Sequence, residues 1–508
     1  MGRTTGTTAA DGARRAEIAV IGSGPGGAVT ATRLAQAGRD VALIEDGEHL
    51  PLSSAPHFSR EEILQKYRNG GINLAMGRAK VAYVEGRCVG GGSEINRGLY
   101  HRIAPETLDG WRRDYRVEAL SADELRPHFD VCEQIARVSF LPGEAPQLSL
   151  RLQAGASALG WGCAEAPRLF SYAADWRTGA PGVKQSMTET FVPRFLAAGG
   201  RLVPQTRVRR LARHNGRWQL RALQDAGERG QREIEIVADT VVVACGAVQT
   251  PALLRRSGIT HNVGDQLRWH PMVKVVACFT DPVNQLSELE PVHQVKEFEP
   301  RFSMGCSISK RPALALALVE HPGGLAEVAR NWRHMAIYYV QSTGGSGTVH
   351  PLPGFRDPLV RARHVRADMA DLADGLTKLC TCLFAAGAIA IYPGVSGLPV
   401  LRSEADLRQI PRELPAARAN LTTLHLFSSC PMGEDQRRCA VDSFGRVHGA
   451  DRLYVADASL LCGPTLVNPQ GPVMAVAHRN AQQLLDGDWR RARARAAPAP
   501  GGGSGCGI

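Results

Sequence analysis

The chain has 508 residues, 44% of them hydrophobic and 21% charged, an ordinary globular composition too long for one simple core, so two or three domains are expected. Its formal charge of +11 does not mark a nucleic-acid binder, because the arginines are scattered and only Trp489 to Arg495 forms a compact basic run. No run is long and apolar enough to span a bilayer, and the 12 cysteines are irregularly spaced, several inside apolar runs, which predicts buried thiols in a cytoplasmic protein without a transmembrane segment.

Met1 to Gly12 is small and polar, a disordered lead. Arg14-Arg15 before an apolar stretch imitates a twin-arginine signal, but that stretch is itself a strand the fold needs, so export is not expected. Ile18 to Ile21 is a short buried-strand run. Gly22, Gly24 and Gly27 follow in G-x-G-x-x-G spacing, with Gly26 beside them. Ala28 to Ala37 suits a helix closed by Gly38, and Val41 to Ile44 is a second strand ending at Glu45. Strand, glycine turn, helix, strand and acid in that order predict a dinucleotide site. Gly22 permits the tight turn, Gly24 lets backbone approach a pyrophosphate, Gly27 lets helix and strand pack closely, and Glu45 accepts from ribose hydroxyls.

Pro51 to Arg60 reads as loop and Glu61 to Gly71 as a short helix. Gly90, Gly91 and Gly92, beside Ser93 and Asn96, form a second glycine-rich stretch able to lie flat against a ligand and aim N–H groups at it. Ser121 with Asp123 and Glu124 reads as a helix N-cap. A strand is expected around Val203 to Leu211, then a β-meander through Arg217–Leu223 and Glu233–Val237. Thr240 to Ala244 is a buried strand turning at Cys245-Gly246 into a helix capped near Thr250-Pro251. Ala336–Val340 and Gly347–Val349 read as strands and Asp368–Gly387 as a helix. Most of the 15 histidines must be surface or structural. His425 and His448 with Cys430 and Cys439 fit no zinc template, so no metal is expected.

Several segments carry a closer likeness: GRCVGGGSEINRGLYHR (Gly86–Arg102), TVVVACGAVQTPALLRRSG (Thr240–Gly258), HLFSSCPMG (His425–Gly433), LYVADAS (Leu453–Ser459) and VNPQGPVM (Val467–Met474). In this order they resemble the signature segments of the glucose–methanol–choline (GMC) oxidoreductases. The likeness runs from Ile18 to Leu485. In HLFSSCPMG, Leu426 stands where the family has proline, Ser428 where it has glycine and Ser429 where it has threonine.

The resemblance implies an α/β fold: a Rossmann-type FAD-binding domain assembled from 13–105, 182–272 and 430–488, and a substrate domain built on an antiparallel sheet with helices from 106–181 and 273–429. Residues 1–12 and 489–508 are expected as disordered tails, with the last helix running to Leu485. The implied cofactor is FAD. It would be held by Gly22, Gly24, Gly27, Glu45, Gly90, Gly91, Gly92, Ser93 and Asn96, by Val208 at the adenine, by Asp457 and Ala458 in the closing segment, and by Pro469 at the start of the last helix. No histidine lies within Gly90–Asn96, so the FAD is expected to be non-covalent. His270 reads as structural.

The implied activity is oxidation of a small-molecule alcohol to an aldehyde or ketone, with hydride passing to flavin N5 and O2 or another oxidant as electron acceptor. His425 takes the place of the family's base and Asn468 its second catalytic position. Asparagine cannot act as a base at neutral pH, so proton transfer falls to His425. The substrate class stays open among sugar-derived or other natural-product hydroxyls and sterol-like or long-chain alcohols, and a non-redox lyase of the same family would keep every FAD motif. Oligomeric state is not legible.

Overall fold

The computed structural model describes residues 15–174, 182–227, 230–286 and 291–496; the expected lead over 1–12 and the chain past 496 lie outside the described residues. Strand β1 (Arg15–Ile21) leads into helix α1 (Pro25–Gln36) and strand β2 (Val41–Ile44). Pro25 occupies the first helical position, where a missing N–H removes no helical bond, and Gly38 follows the helix at φ +79. Strands β3 (Arg201–Val203), β4 (Thr206–His214), β5 (Arg217–Asp225), β6 (Gln231–Val243) and, much later, β7 (Leu453–Val455) complete a seven-stranded sheet. Its order is β4-β5-β6-β1-β2-β3, with β7 along β6.

β1 is central and parallel to both β2 and β6. Its residues Ile18 to Ile21 are buried, as are Val41 to Ile44, which is what parallel strands covered on both faces require. β6 merges two expected strands into one of 13 residues and changes character along its length. Its first half alternates polar and apolar (QREIEI) and pairs antiparallel with β5, closing the expected meander. Its second half, ending TVVV, is buried and parallel to β1. The strand expected over Val203–Leu211 is instead divided at Pro204-Gln205, where Gln205 has φ +51. β3 therefore joins β2 while β4 starts the meander.

Helix α2 (Gly246–Arg256) starts four residues before the cap expected near Thr250-Pro251, and Pro251 sits inside it. Proline has no N–H for the carbonyl of Ala247. The Ser429 hydroxyl donates to that carbonyl instead, at 2.6 Å, so the kink-prone position is also a tie to the segment that carries His425.

A nine-stranded, mainly antiparallel sheet forms the second layer, built on Met272–Phe279, His293–Val295, Phe302–Ser307, Met335–Ser342 and Ala388–Pro393. Helix α3 (Arg366–Ala385) covers one face with Met369, Leu372, Leu376, Leu379 and Leu383, an alternation of three and four residues that puts them on one stripe. Strands Asn73–Ala75 and Val81–Tyr83 fall inside the 13–105 segment yet belong to this second sheet. Helix α4 (Gln470–Ala496) packs on α1 and on the helix Ala122–Ile135. It outruns the expected end at Leu485, so the first part of the expected disordered tail, 489–496, is helical. Among the described residues no helix is long and apolar enough to cross a membrane.

Candidate active site

The carboxyl ends of β1, β2 and β6, the Gly91-Gly92 loop, Leu424–Leu426 and the start of α4 enclose one cavity of about 1580 Å³, mouth included. Of the residues expected at the cofactor, Gly22, Gly24, Glu45, Gly91, Gly92, Asn96, Val208, Asp457, Ala458 and Pro469 line it, as do His425 and Asn468.

Gly90 and Ser93, expected at the cofactor, do not line it, nor does Gly27, whose expected part was close helix–strand packing. A Cβ on Gly27 would stand 1.9 Å from the Gly22 carbonyl oxygen, so this glycine serves helix–strand packing. Gly90 donates its N–H to Ser23 Oγ (3.1 Å). Ser93 Oγ donates to the Gly90 carbonyl (2.7 Å) and accepts from Met187 N–H (3.0 Å). Gly90 thereby fastens the second glycine loop onto the first, and Ser93 ties it to Met187.

Gly24 meets the test of a phosphate cradle. It is the N-cap of α1 without any side-chain cap, and a Cβ there would meet nothing within 4 Å. The first-turn N–H groups of α1 have no intrahelical acceptor, and open space with orphan donors at a positive helix end suits an anion. Glu45 closes the other side. One carboxylate oxygen accepts from Ser23 N–H (3.0 Å) and Ser23 Oγ (2.7 Å), the other from Gly47 N–H (2.9 Å). Burial outweighs these donors and raises its pKa.

Beyond Glu45 lies a charged cluster that sequence reasoning missed. Arg68 is buried and bridges Asp46 (3.2 Å), Asp357 (3.4 Å) and Glu85 (3.7 Å). Burial alone would raise the pKa of Asp46, but Arg68, Arg87 and Arg207 win and hold it below the usual carboxylate range. The only sequence signal was that Asp46 directly follows Glu45.

Asp457 lies two residues past β7 and ties its own turn to α2. Its Oδ2 accepts from Gly246 N–H (2.9 Å) and Thr250 Oγ1 (2.5 Å), both in α2, and its Oδ1 from Ser459 N–H (2.7 Å). The next residues form a ladder with the His425 segment: Ser428 N–H to Ala458 O, Cys430 N–H to Ser459 O and Met432 N–H to Leu460 O, at 3.1, 2.8 and 2.9 Å. Ser428 adopts φ +65, so serine takes up the glycine-like backbone that the position requires.

His425 is half-buried on the cavity wall, and desolvation there pushes its pKa down to about 4. Its Nε2 lies 3.2 Å from Asn468 Nδ2 and its Nδ1 lies 3.1 Å from His270 Nδ1. An amide NH2 can only donate, so with this orientation His425 Nε2 accepts and carries the lone pair. The ring proton then sits on Nδ1 and is donated to His270. His270 is itself completely buried and its main-chain N–H donates to the His425 carbonyl (3.3 Å). The histidine read as structural from sequence therefore touches His425 directly. His448, by contrast, is engaged through Nε2 with the Gly433 carbonyl at 3.1 Å. His101 faces Gln294 and does not line the cavity; burial pushes its pKa to about 3.

Family models described as GMC oxidoreductase match residues 63–272 and 353–477. The chain belongs to the GMC oxidoreductase family. A model described as pyridine nucleotide-disulphide oxidoreductase also matches residues 16–99, the stretch of the first glycine turn. An uncharacterized GMC-type oxidoreductase, y4nJ of Sinorhizobium fredii, is 38% identical over 92% of this chain and 94% of its own. Long-chain-alcohol oxidase FAO4A of Arabidopsis thaliana is 26% identical over 91% of this chain and 67% of its own. The crystal structure of pyridoxine 4-oxidase from Mesorbium loti superposes with a TM-score of 0.69 at 19% identity, covering 93% of this chain and 99% of that one, a likeness of fold. As a member of this GMC family the chain is an FAD-dependent oxidoreductase acting on a CH–OH group.

Proposed function

We propose that this GMC oxidoreductase oxidises the hydroxyl of a polar small molecule, a sugar-derived or other natural product, to an aldehyde or ketone, with His425 as base and Asn468 as orienting partner. The observation that carries the reading is the 3.2 Å approach of Asn468 Nδ2 to His425 Nε2 in the cavity. A hydroxyl oxygen within reach of both atoms accepts the amide hydrogen bond while its proton passes to Nε2. FAD, when bound, supplies the acceptor for the hydride leaving the carbinol carbon. Asn468 keeps the oxygen oriented, and His270 holds the tautomer that leaves Nε2 free.

In this reading Gly24 and the start of α1 hold the phosphates, Glu45 the ribose, Val208 the adenine end, and Gly91, Gly92, Asn96, Asp457, Ala458 and Pro469 the remaining length of FAD. Attachment is non-covalent. Cys245 is the cysteine lining the cavity, and burial first, then the charges of Asp457 and Glu45, pushes its thiol pKa up, away from a reactive thiolate. The segments 13–105, 182–272 and 430–488 form the cofactor domain, with 73–83 lending two strands to the other sheet; 106–181 and 273–429 form the substrate domain. A polar substrate is favoured over a long-chain alcohol because Arg97 and Gln470 line the same cavity as His425 and Asn468.

The test is anaerobic bleaching of the flavin by a panel of alcohols, followed by admission of oxygen to separate an oxidase from a dehydrogenase. Failure of every alcohol to bleach the flavin sinks the reading and leaves the non-redox lyase. Glu45→Arg is expected to weaken FAD retention at least tenfold, because it removes the acceptor at the ribose and puts a cation against Arg68 and Arg207; equilibrium titration with FAD measures it.

The bleaching rate should also follow pH in a defined direction. His425 is a competent base only when neutral, and burial depresses its pKa to about 4, so it is neutral throughout pH 6 to 8. The rate should be flat there and fall only as pH drops through about 4, well below the ordinary histidine value. A fall centred near 6.5 contradicts the desolvated base.

A further inference from the structure

Arg97 follows Asn96 in the second glycine stretch and lines the same cavity as His425 and Asn468. Its guanidinium lies 4.0 Å above the centre of the Phe58 ring, and its buried Nη1 has no hydrogen-bond partner. Among the described residues no carboxylate pairs with it, whereas Arg68 has three. Glu62, the acid whose charge reaches Arg97, is already committed to the His57 ring (2.8 Å) and to Phe58 N–H (2.6 Å).

Lys274 is the second such cation. It lies on the nine-stranded sheet directly opposite Tyr339, which is opposite Gly305, which is opposite Gln294, and the charge of Arg97 bears on its ammonium. Its ammonium makes no ion pair or hydrogen bond among the described residues. Tyr339 accepts from Gln294 Nε2 at 3.1 Å, and Gly305 leaves room for that hydroxyl, since a Cβ there would come within 2.5 Å of it. Gln294 continues the polar strip to His101, whose own titration feels His425. Burial pushes Arg97 to about 9, and burial with the charge of Arg97 pushes Lys274 to about 8. Holding two cations together without a counter-charge is costly, and the Phe58 ring face beneath Arg97 offsets only part of it.

We propose that Arg97 and Lys274 bind an oxyanionic group, a carboxylate or a phosphate ester, carried by the alcohol whose hydroxyl meets His425 and Asn468. The substrate is then a small hydroxylated anion rather than a neutral alcohol. This rests on the alcohol-oxidation reading of His425 and Asn468. Arginine matches an oxyanion with a planar fork and lysine adds a point charge, so the pair discriminates both charge and shape.

The test uses the FAD-loaded protein and two readouts. The first is perturbation of the flavin absorbance by non-oxidisable anions, acetate and inorganic phosphate, which needs no turnover. The second is anaerobic bleaching by matched pairs: ω-hydroxy acids with their methyl esters, and hydroxyalkyl phosphates with the parent diols. The parent should prefer the anionic member of one pair series, and which series it prefers separates carboxylate from phosphate. In Arg97→Gln and in Lys274→Met, each retaining its flavin, that preference should fall about tenfold or more, the scale of one lost charge-assisted hydrogen bond. Arg97→Lys should restore part of it. Equal bleaching by acid and ester in the parent, with no perturbation by either anion, overturns the proposal while alcohol oxidation stands. An equal loss for both members of a pair in the variants also overturns it, because the cations then serve the cofactor. Anion binding that needs Arg97, with no bleaching by any alcohol, supports the anion site and removes the alcohol-oxidation reading instead.

Discussion

His425→Ala is expected to slow anaerobic flavin reduction by roughly a hundredfold to ten-thousandfold, the scale of a positioned base, while FAD stays bound. The hydroxyl proton to be removed has a pKa far above that of any protein base, so its loss must be coupled geometrically to loss of the hydride. Among the residues lining the cavity, His425 alone combines a lone pair at Nε2 with the 3.2 Å approach to Asn468 that fixes a hydroxyl in place. FAD should be retained because the Glu45, Gly24 and Asp457 contacts lie in other segments. Asn468→Ala should cost less, a few kcal/mol at most, since the amide orients the oxygen without taking its proton. The decisive measurement is stopped-flow bleaching with one substrate found in the alcohol panel. Should His425→Ala bleach as fast as the parent, the base lies elsewhere, and His270 is the next residue to replace, ahead of His101 and of His448, whose ring is already bonded to a carbonyl.

What was legible in the sequence was whatever local periodicity or glycine chemistry determines. β1, α1, β2 and Glu45 follow from a buried run, a glycine turn and a 3.6-residue helix, all written within about thirty residues. The meander and α3 were readable for the same reason. Tertiary partners were not. Pro251 reads as a helix start until Ser429, 182 positions away by the separation of the bonded pair, is seen to satisfy the carbonyl the proline abandons. Val203–Leu211 reads as one strand because its composition is continuous, and only the turn at Gln205 sends its halves to opposite edges of the sheet. The site shows the same division. Glycines that face the cavity and glycines that only let backbones touch have one signature, so Gly27 and Gly90 were assigned with Gly24. Arg97 and Lys274 stand out only once their missing counter-charges can be seen.

Asp457→Ala is the substitution expected to damage both fold and cofactor binding most. Its carboxylate accepts from the backbone of Gly246 and Ser459 and from the Thr250 hydroxyl; Thr250 and Ser459 are buried with it and Gly246 is half-buried at the cavity. Alanine leaves them without an acceptor at roughly 1 kcal/mol or more each, so a loss on the order of 3 kcal/mol is expected. Gly26 adds to the consequence, because a Cβ on it would already lie 1.9 Å from the Ala456 carbonyl oxygen, leaving the first glycine turn no slack if β7 shifts. The flavin should therefore be lost together with several degrees of thermal stability. Burial outweighs the three donors to Asp457 and raises its pKa. Asp457→Asn, which keeps one acceptor oxygen, should then cost about half as much as alanine. Thermal midpoints and flavin-to-protein absorbance ratios of the two variants decide the matter. An alanine variant that keeps its flavin at the parent's midpoint would show that the joint between β7, α2 and the closing turn does not rest on this carboxylate.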